Sequence, residues 1–160
     1  MDHTVRLSLA SVARAARRDS ILPKVLIVED EPLIASLLED ILIDYGYAVC
    51  GIARTVSAAV ALAKLHEPDL AVIDLNLADN GLGTEIIQEL GGVGRLGILY
   101  TTGASQVMLT RTDGHARLAK PYRDTDLLRS LQIVTEIKST DLASPPFPRG
   151  FQPLPMAPAP

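Results

Sequence analysis

Five short aliphatic runs alternate with stretches of helical period, and this alternation constrains the chain more than any other feature. "KVLIV" precedes a stretch from Pro32 to Tyr45 in which Leu33, Ile34, Leu37, Leu38, Ile41, Leu42 and Tyr45 form one stripe. "AVCGI" is followed by an alanine-rich segment predicted to be helical from about Thr55 to His66, and "LAVIDL" by a helix from about Gly83 to Leu90. "LGILYT" and the shorter "ARLAK" are the fourth and fifth strands. Between them only "ASQVMLTRTDG" remains, so a fourth helix is short or absent. After Pro121, Asp124 or Thr125 is placed to cap a last helix whose Leu127, Leu128, Leu131 and Val134 face inward. Strands alternating strictly with helices imply an α/β fold, a doubly wound parallel sheet with helices on both faces.

Outside this unit, at residues 24–138, the composition changes. Residues 1–23 set Arg6, Arg14, Arg17 and Arg18 among alanines, serines and leucines, and are read as an extension, helical or disordered. Residues 139–160 include "SPPFPRGFQPLPMAPAP", with seven prolines in seventeen residues; this is read as a disordered or polyproline-like tail, because proline removes backbone donors. Neither tail is expected to contribute to the chemistry. A net charge of -4 argues against direct DNA binding, and Cys50, the single cysteine, excludes an internal disulfide or a Cys-based zinc site. With no apolar run near the roughly 20 residues that span a bilayer, no membrane insertion and a cytoplasmic location are expected.

In open parallel sheets ligands bind beyond the carboxyl ends of the strands. Those ends carry Glu29 and Asp30, then Asp74, then Thr101 and Thr102, then Lys120 before Pro121. One such residue is an ordinary helix cap, but three acids, a hydroxyl and a lysine at four strand ends are hard to explain as caps. Crowded carboxylates repel one another unless a positive charge sits among them. Their hard oxygen donors suit Mg2+ (or Mn2+), which favours carboxylates and phosphate oxygens. A further carboxylate beside the metal can attack phosphorus, while a lysine and a hydroxyl orient the other oxygens. Histidine is not required as a base, and His66 and His115 are assigned to the surface or to loops.

From about Lys24 to Lys138 the chain resembles the receiver domain of two-component response regulators, on the acidic pair Glu29 and Asp30, Asp74 in "VIDLNL", Thr102 in "LYTTG" and Lys120 in "AKPY". The resemblance implies a flavodoxin-like five-stranded sheet of order 2-1-3-4-5. It also implies Asp74 as phosphoacceptor, Glu29, Asp30, Asp74 and the backbone carbonyl of Asn76 as metal ligands, and Thr102 and Lys120 as phosphoryl-binding residues. The Asn76 side chain is a candidate influence on phosphoryl lifetime, and a cis Lys120–Pro121 bond would aim the lysine into the site. "YTTGAS" is similar to the Phe-Ala-Thr-Gly-hydrophobic-Tyr motif of stand-alone receivers informally called FAT GUY, with Tyr100, Thr101 and Ser105 as departures. Such proteins are partnered by histidine kinases, typically of the HWE type, or by histidine phosphotransfer proteins.

Arg117 stands where the family has its switch aromatic and is expected to stay on the surface. The response to phosphorylation is therefore expected in the loop from Gly103 to Gly114, which has few apolar residues to hold it. Two other classes fit some of the same residues. A constitutive binding module would never be phosphorylated, and a Mg2+-dependent phosphatase with an Asp nucleophile would need a second Asp where Asn76 stands.

Overall fold

The computed structural model describes residues 22–77, 81–103 and 107–160, so the N-terminal extension falls almost wholly outside the described residues. Six strands and four helices follow in the order β1 (Lys24–Val28), α1 (Pro32–Asp44), β2 (Ala48–Ala53), α2 (Val56–His66), β3 (Leu70–Asp74), α3 (Thr84–Glu89), β4 (Gly97–Thr102), β5 (Ala116–Ala119), α4 (Asp124–Thr140) and β6 (Phe151–Pro153). The sheet order is β2-β1-β3-β4-β5-β6. The first five strands are parallel in the expected 2-1-3-4-5 order, and β6 joins β5 antiparallel. No helix stands between β4 and β5 among the described residues.

Because side chains alternate along a strand, each central strand feeds two cores. Val25, Ile27, Val72 and Leu99 face α1 and α4, against Leu38, Leu42, Leu131 and Val134. Leu26, Val28, Ile73 and Ile98 face α2 and α3, against Val60, Ala63, Ile86 and Ile87. Sheet residues buried on both faces read as unbroken aliphatic runs, which is why the strands were legible.

Several helix details differ from expectation. In α1 the buried face is Ala35, Leu38, Ile41 and Leu42, whereas Leu33 and Leu37 are 87% and 59% exposed. Small Ala35 turns toward the sheet, and at 100° per residue this leaves Leu33 and Leu37 on the opposite side. α2 starts where its sequence implied, with Thr55 as its cap, Oγ1 accepting the Ala58 N–H at 3.2 Å. For α4 the cap lies earlier, at Arg123, whose N–H donates to Asp126 Oδ2 at 3.1 Å.

The proline-rich tail, read as disordered, packs against the sheet as far as Pro155. Beyond α4 the chain turns at Asp141 and runs back along β5 as an arm. The Ala119 N–H donates to Gly150 O at 3.0 Å, Leu154 N–H to His115 O at 2.9 Å, and Arg111 N–H to Pro155 O at 2.9 Å. Gly150 and Leu154 turn main-chain groups to β5, and Pro153 falls between them; an edge strand tolerates proline where a central one does not. Phe151 inserts into the α1/α4 core and Leu154 into the α2/α3 core, so the arm seals both faces of the sheet beside the missing helix.

His115 is also buried rather than at the surface, and its Nδ1 accepts the Ile98 N–H at 3.0 Å. Burial, then the charges of Arg111 and Lys138, push its pKa down from 6.5 to about 4. A depressed folded-state pKa gives stability that is present above pH 6.5 and lost as pH falls toward 4. Between pH 7 and pH 5, urea unfolding should show the wild type losing about 2 kcal/mol more than His115→Gln. Equal losses would mean that the imidazole takes up its proton in the folded protein at the same pH as in the unfolded chain.

Candidate functional site

The carboxyl ends of β1, β3, β4 and β5 bring Glu29, Asp30, Asp74, Thr102 and Lys120 to one edge of the sheet. After β1 the chain passes to the α1 face, and after β3 to the α3 face. The crevice between these two strands is where such sheets bind ligands. Backbone bonds continue the ladder past the strands: Glu29 N–H to Ala53 O at 2.9 Å, Leu75 N–H to Thr101 O at 3.0 Å, and Lys120 N–H to Thr102 O at 2.7 Å. Glu29, Leu75 and Lys120 are thereby tied into the sheet ladder. Gly83 lies close behind Asp74. A Cβ there would sit 2.6 Å from Asp74 O and 2.7 Å from Ile73 Cγ2, a constraint that sequence reading missed because Gly83 is nine residues from the acid.

Asp74 is buried, and both its oxygens are engaged. Oδ1 accepts the Asn76 main-chain N–H at 3.0 Å and Oδ2 accepts from Lys120 Nζ at 3.1 Å. Lys120 Nζ also lies 3.7 Å from Glu29 Oε2. Burial works to lower the Lys120 pKa, but the hydrogen bond and charge of Asp74, aided by Glu29 and Glu31, outweigh it and raise the ammonium pKa. For Glu29, burial first, then the hydrogen bond and charge of Asp74, push the pKa up to about 7. Burial and the neighbouring Asp74 carboxylate both disfavour the charged form of Glu29, and a cation among the carboxylates would favour it.

Oxygens of Glu29, Asp30 and Asp74 lie within 4.8 Å of one another. Glu29 is 1% exposed, and its Oε1 is buried with no hydrogen-bond partner among the described residues. Buried polar atoms are rarely left so, and an orphaned carboxylate oxygen in a cluster of carboxylates fits a hard divalent cation better than a soft one. The Asn76 side chain is exposed.

Two residues near the site depart from expectation. Arg117 does not stay on the surface: it is half-buried, and its Nη1 donates to Val107 O at 3.3 Å, the guanidinium finding a carbonyl while its stem packs inward. The loop after Thr102, of which residues 104–106 lie outside the described set, is better held than its composition suggested. Tyr100 is fully buried and its hydroxyl donates to Asp113 O at 2.7 Å, Leu109 is buried, and Thr110 N–H donates to Asp113 Oδ2 at 2.9 Å. Burial, with the charge of Asp113, raises the pKa of the Tyr100 phenol, so it remains a donor.

Known proteins agree with this geometry. PhyR, the phyllosphere-induced regulator of Methylorubrum extorquens, is 33% identical over 107 residues, covering 65% of this chain and 40% of PhyR. The transcriptional regulatory protein PdtaR of Mycobacterium tuberculosis is 34% identical over 120 residues, covering 72% and 58%. The chain thus spans about half the length of these curated relatives. Among solved structures, the receiver domain of a modulated diguanylate cyclase from Desulfovibrio desulfuricans is 32% identical with a TM-score of 0.64, covering 76% of this chain and all of that one. A CheY-like receiver from Methanospirillum hungatei, 24% identical, superposes at a TM-score of 0.67 over 76% of this chain and all of that one, a likeness of fold. The profile of the response regulator receiver domain matches residues 25–132, which include every strand-end residue described above. With that match and the sheet order in accord, the chain belongs to the response regulator receiver domain family.

Proposed function

We propose that the protein is a phosphoacceptor of a two-component phosphorelay, taking a phosphoryl group on Asp74 from a histidine kinase or a histidine phosphotransfer protein and passing the signal on through protein contacts. The observation that carries this is the engagement of Asp74 by Lys120 beside the orphaned Oε1 of Glu29. Glu29, Asp30 and Asp74, with the Asn76 carbonyl, are the residues that would hold Mg2+, or Mn2+ in its place. Bound there, the cation would offset the negative charge of the carboxylates and of an incoming phosphoryl group.

The chemistry of the chain's own residues is brief. A carboxylate oxygen of Asp74 attacks phosphorus, an O–P bond forms, and the donor's N–P bond breaks with the imidazole as leaving group. The Lys120 ammonium, held on Asp74 Oδ2 beforehand, is placed to pass to a phosphoryl oxygen. Thr102, buried one strand away, supplies a hydroxyl to another. Positioning and charge stabilisation do most of the work in such a transfer.

The similarity of "YTTGAS" to the FAT GUY motif supports a kinase of the HWE type as donor. A relative from Bartonella quintana is described as an anti-anti-sigma factor; this chain spans about half of that protein, so its own target is a separate matter.

Incubation with acetyl phosphate and Mg2+ should add one phosphoryl group by intact-mass spectrometry, and chelation of the metal should prevent it. No uptake at any Mg2+ concentration would favour the constitutive binding module, and steady release of phosphate from unrelated phosphomonoesters would favour the phosphatase.

A further inference from the structure

The arm carries a single charged side chain in the nineteen residues from Leu142 to Pro160, and it is Arg149. Its position is informative. Arg149 lines a cavity of about 540 Å3 together with Ala119, Lys120, Pro121, Arg123, Asp126 and Gly150. Three cations thus share one cavity with one acid, and that acid already accepts the Arg123 N–H. Arg149 has no ion pair among the described residues.

Lys120 belongs to both places. Its side chain reaches Asp74 and Glu29, and it also lines the cavity that Arg149 borders. The link between them is short and stiff: the Ala119 N–H, one residue before Lys120, bonds to Gly150 O, one residue after Arg149. At Gly150 the backbone has φ +79°, and a Cβ would fall 3.1 Å from the Ala119 Cβ, so glycine lets the arm approach β5 this closely. Further along, Leu154 and Pro155 bond to His115 and Arg111, and the Arg111 side chain pairs with Asp141 at 3.1 Å where the arm begins. The arm therefore touches the strand that ends in Lys120 and the loop that follows Thr102.

We infer that the arm is a phosphorylation-tightened strap, with Arg149 the positioning residue that registers the phosphoryl charge through the Lys120 cavity. The inference rests on Asp74 being the phosphoacceptor. Before phosphorylation Arg149, itself exposed, shares the cavity with the positive charges of Lys120 and Arg123. A phosphoryl group adds roughly -1.5 to -2 charges on the far side of Lys120 and turns the local field toward attraction. Residues 149–155 then hold more tightly to β5 and to the loop, and the edge of the sheet changes in rigidity without a large movement.

Amide exchange on the full chain with Mg2+, before and after acetyl phosphate, tests this, with intact mass read on the same samples. The amides of Arg111, Ala119 and Leu154, which hold the arm, should exchange about fivefold or more slowly after phosphorylation. Arg149→Gln should take up the phosphoryl group as fully as wild type and lose most of that slowing, and Arg149→Lys should keep a substantial part. A complete mass shift with unchanged or faster exchange in the wild type overturns the strap alone, as does full slowing in Arg149→Gln. Absence of the mass shift in the wild type overturns the phosphoacceptor reading and the strap with it.

Discussion

Asp74→Asn is expected to abolish phosphorylation by acetyl phosphate, leaving the mass of the protein unchanged under conditions that label the wild type fully. The amide oxygen is a far poorer nucleophile than the carboxylate, and the other acids are badly placed to replace it. Glu29, 1% exposed, lies deeper than Asp74 and is less open to a phosphoryl donor. Asp30 is only partly buried, and no hydrogen bond joins it to Lys120 among the described residues. The substitution keeps the shape of the side chain, so the fold should persist, although Lys120 loses the charge that holds it. Phosphate retained on the variant would move the acceptor elsewhere.

Phe151→Ala should cost about 3 kcal/mol in urea unfolding, the range for deleting a buried phenyl group. Phe151 is 7% exposed within the α1/α4 core and its ring stacks, tilted, 5.5 Å from that of Phe147. Its neighbour Gln152 is exposed, so Gln152→Ala should stay within about 0.5 kcal/mol. A negligible effect at both positions would mean that the arm spends most of its time away from β5. The same result would restore the reading of residues 139–160 as a dispensable tail.

Much of the candidate site was legible because each polar residue follows an aliphatic run. A Glu, Asp, Thr or Lys at the end of such a run can only emerge at the carboxyl edge of a parallel sheet, so Glu29, Asp74, Thr102 and Lys120 were placed together before any coordinate was known. The arm was not legible, since its fold depends on something local composition does not carry. Proline density reads as disorder, yet Phe151 and Leu154 find partners because β5 is the last strand of the parallel order and its outer edge takes β6. His115 and Arg117 were misjudged for a related reason. Polar side chains were assigned to water, when a backbone N–H and a carbonyl were waiting for them inside. In α1, periodicity gave the helix but not its rotation, which the small size of Ala35 decides.

The pairing of Leu118 with Phe151 spans 33 residues of chain. At roughly 5 to 20 residues per second, a ribosome makes the strand several seconds before it makes its cover. Through that interval the newest edge of the sheet offers bare amides and carbonyls beside two unsealed cores, the situation in which nascent chains pair with the wrong neighbour. Production yield is therefore tied to the last-made stretch of this domain as much as to the edge that carries its carboxylates. A message truncated ahead of Phe151 would yield a product whose carboxylates and lysine are all present and whose solubility is not.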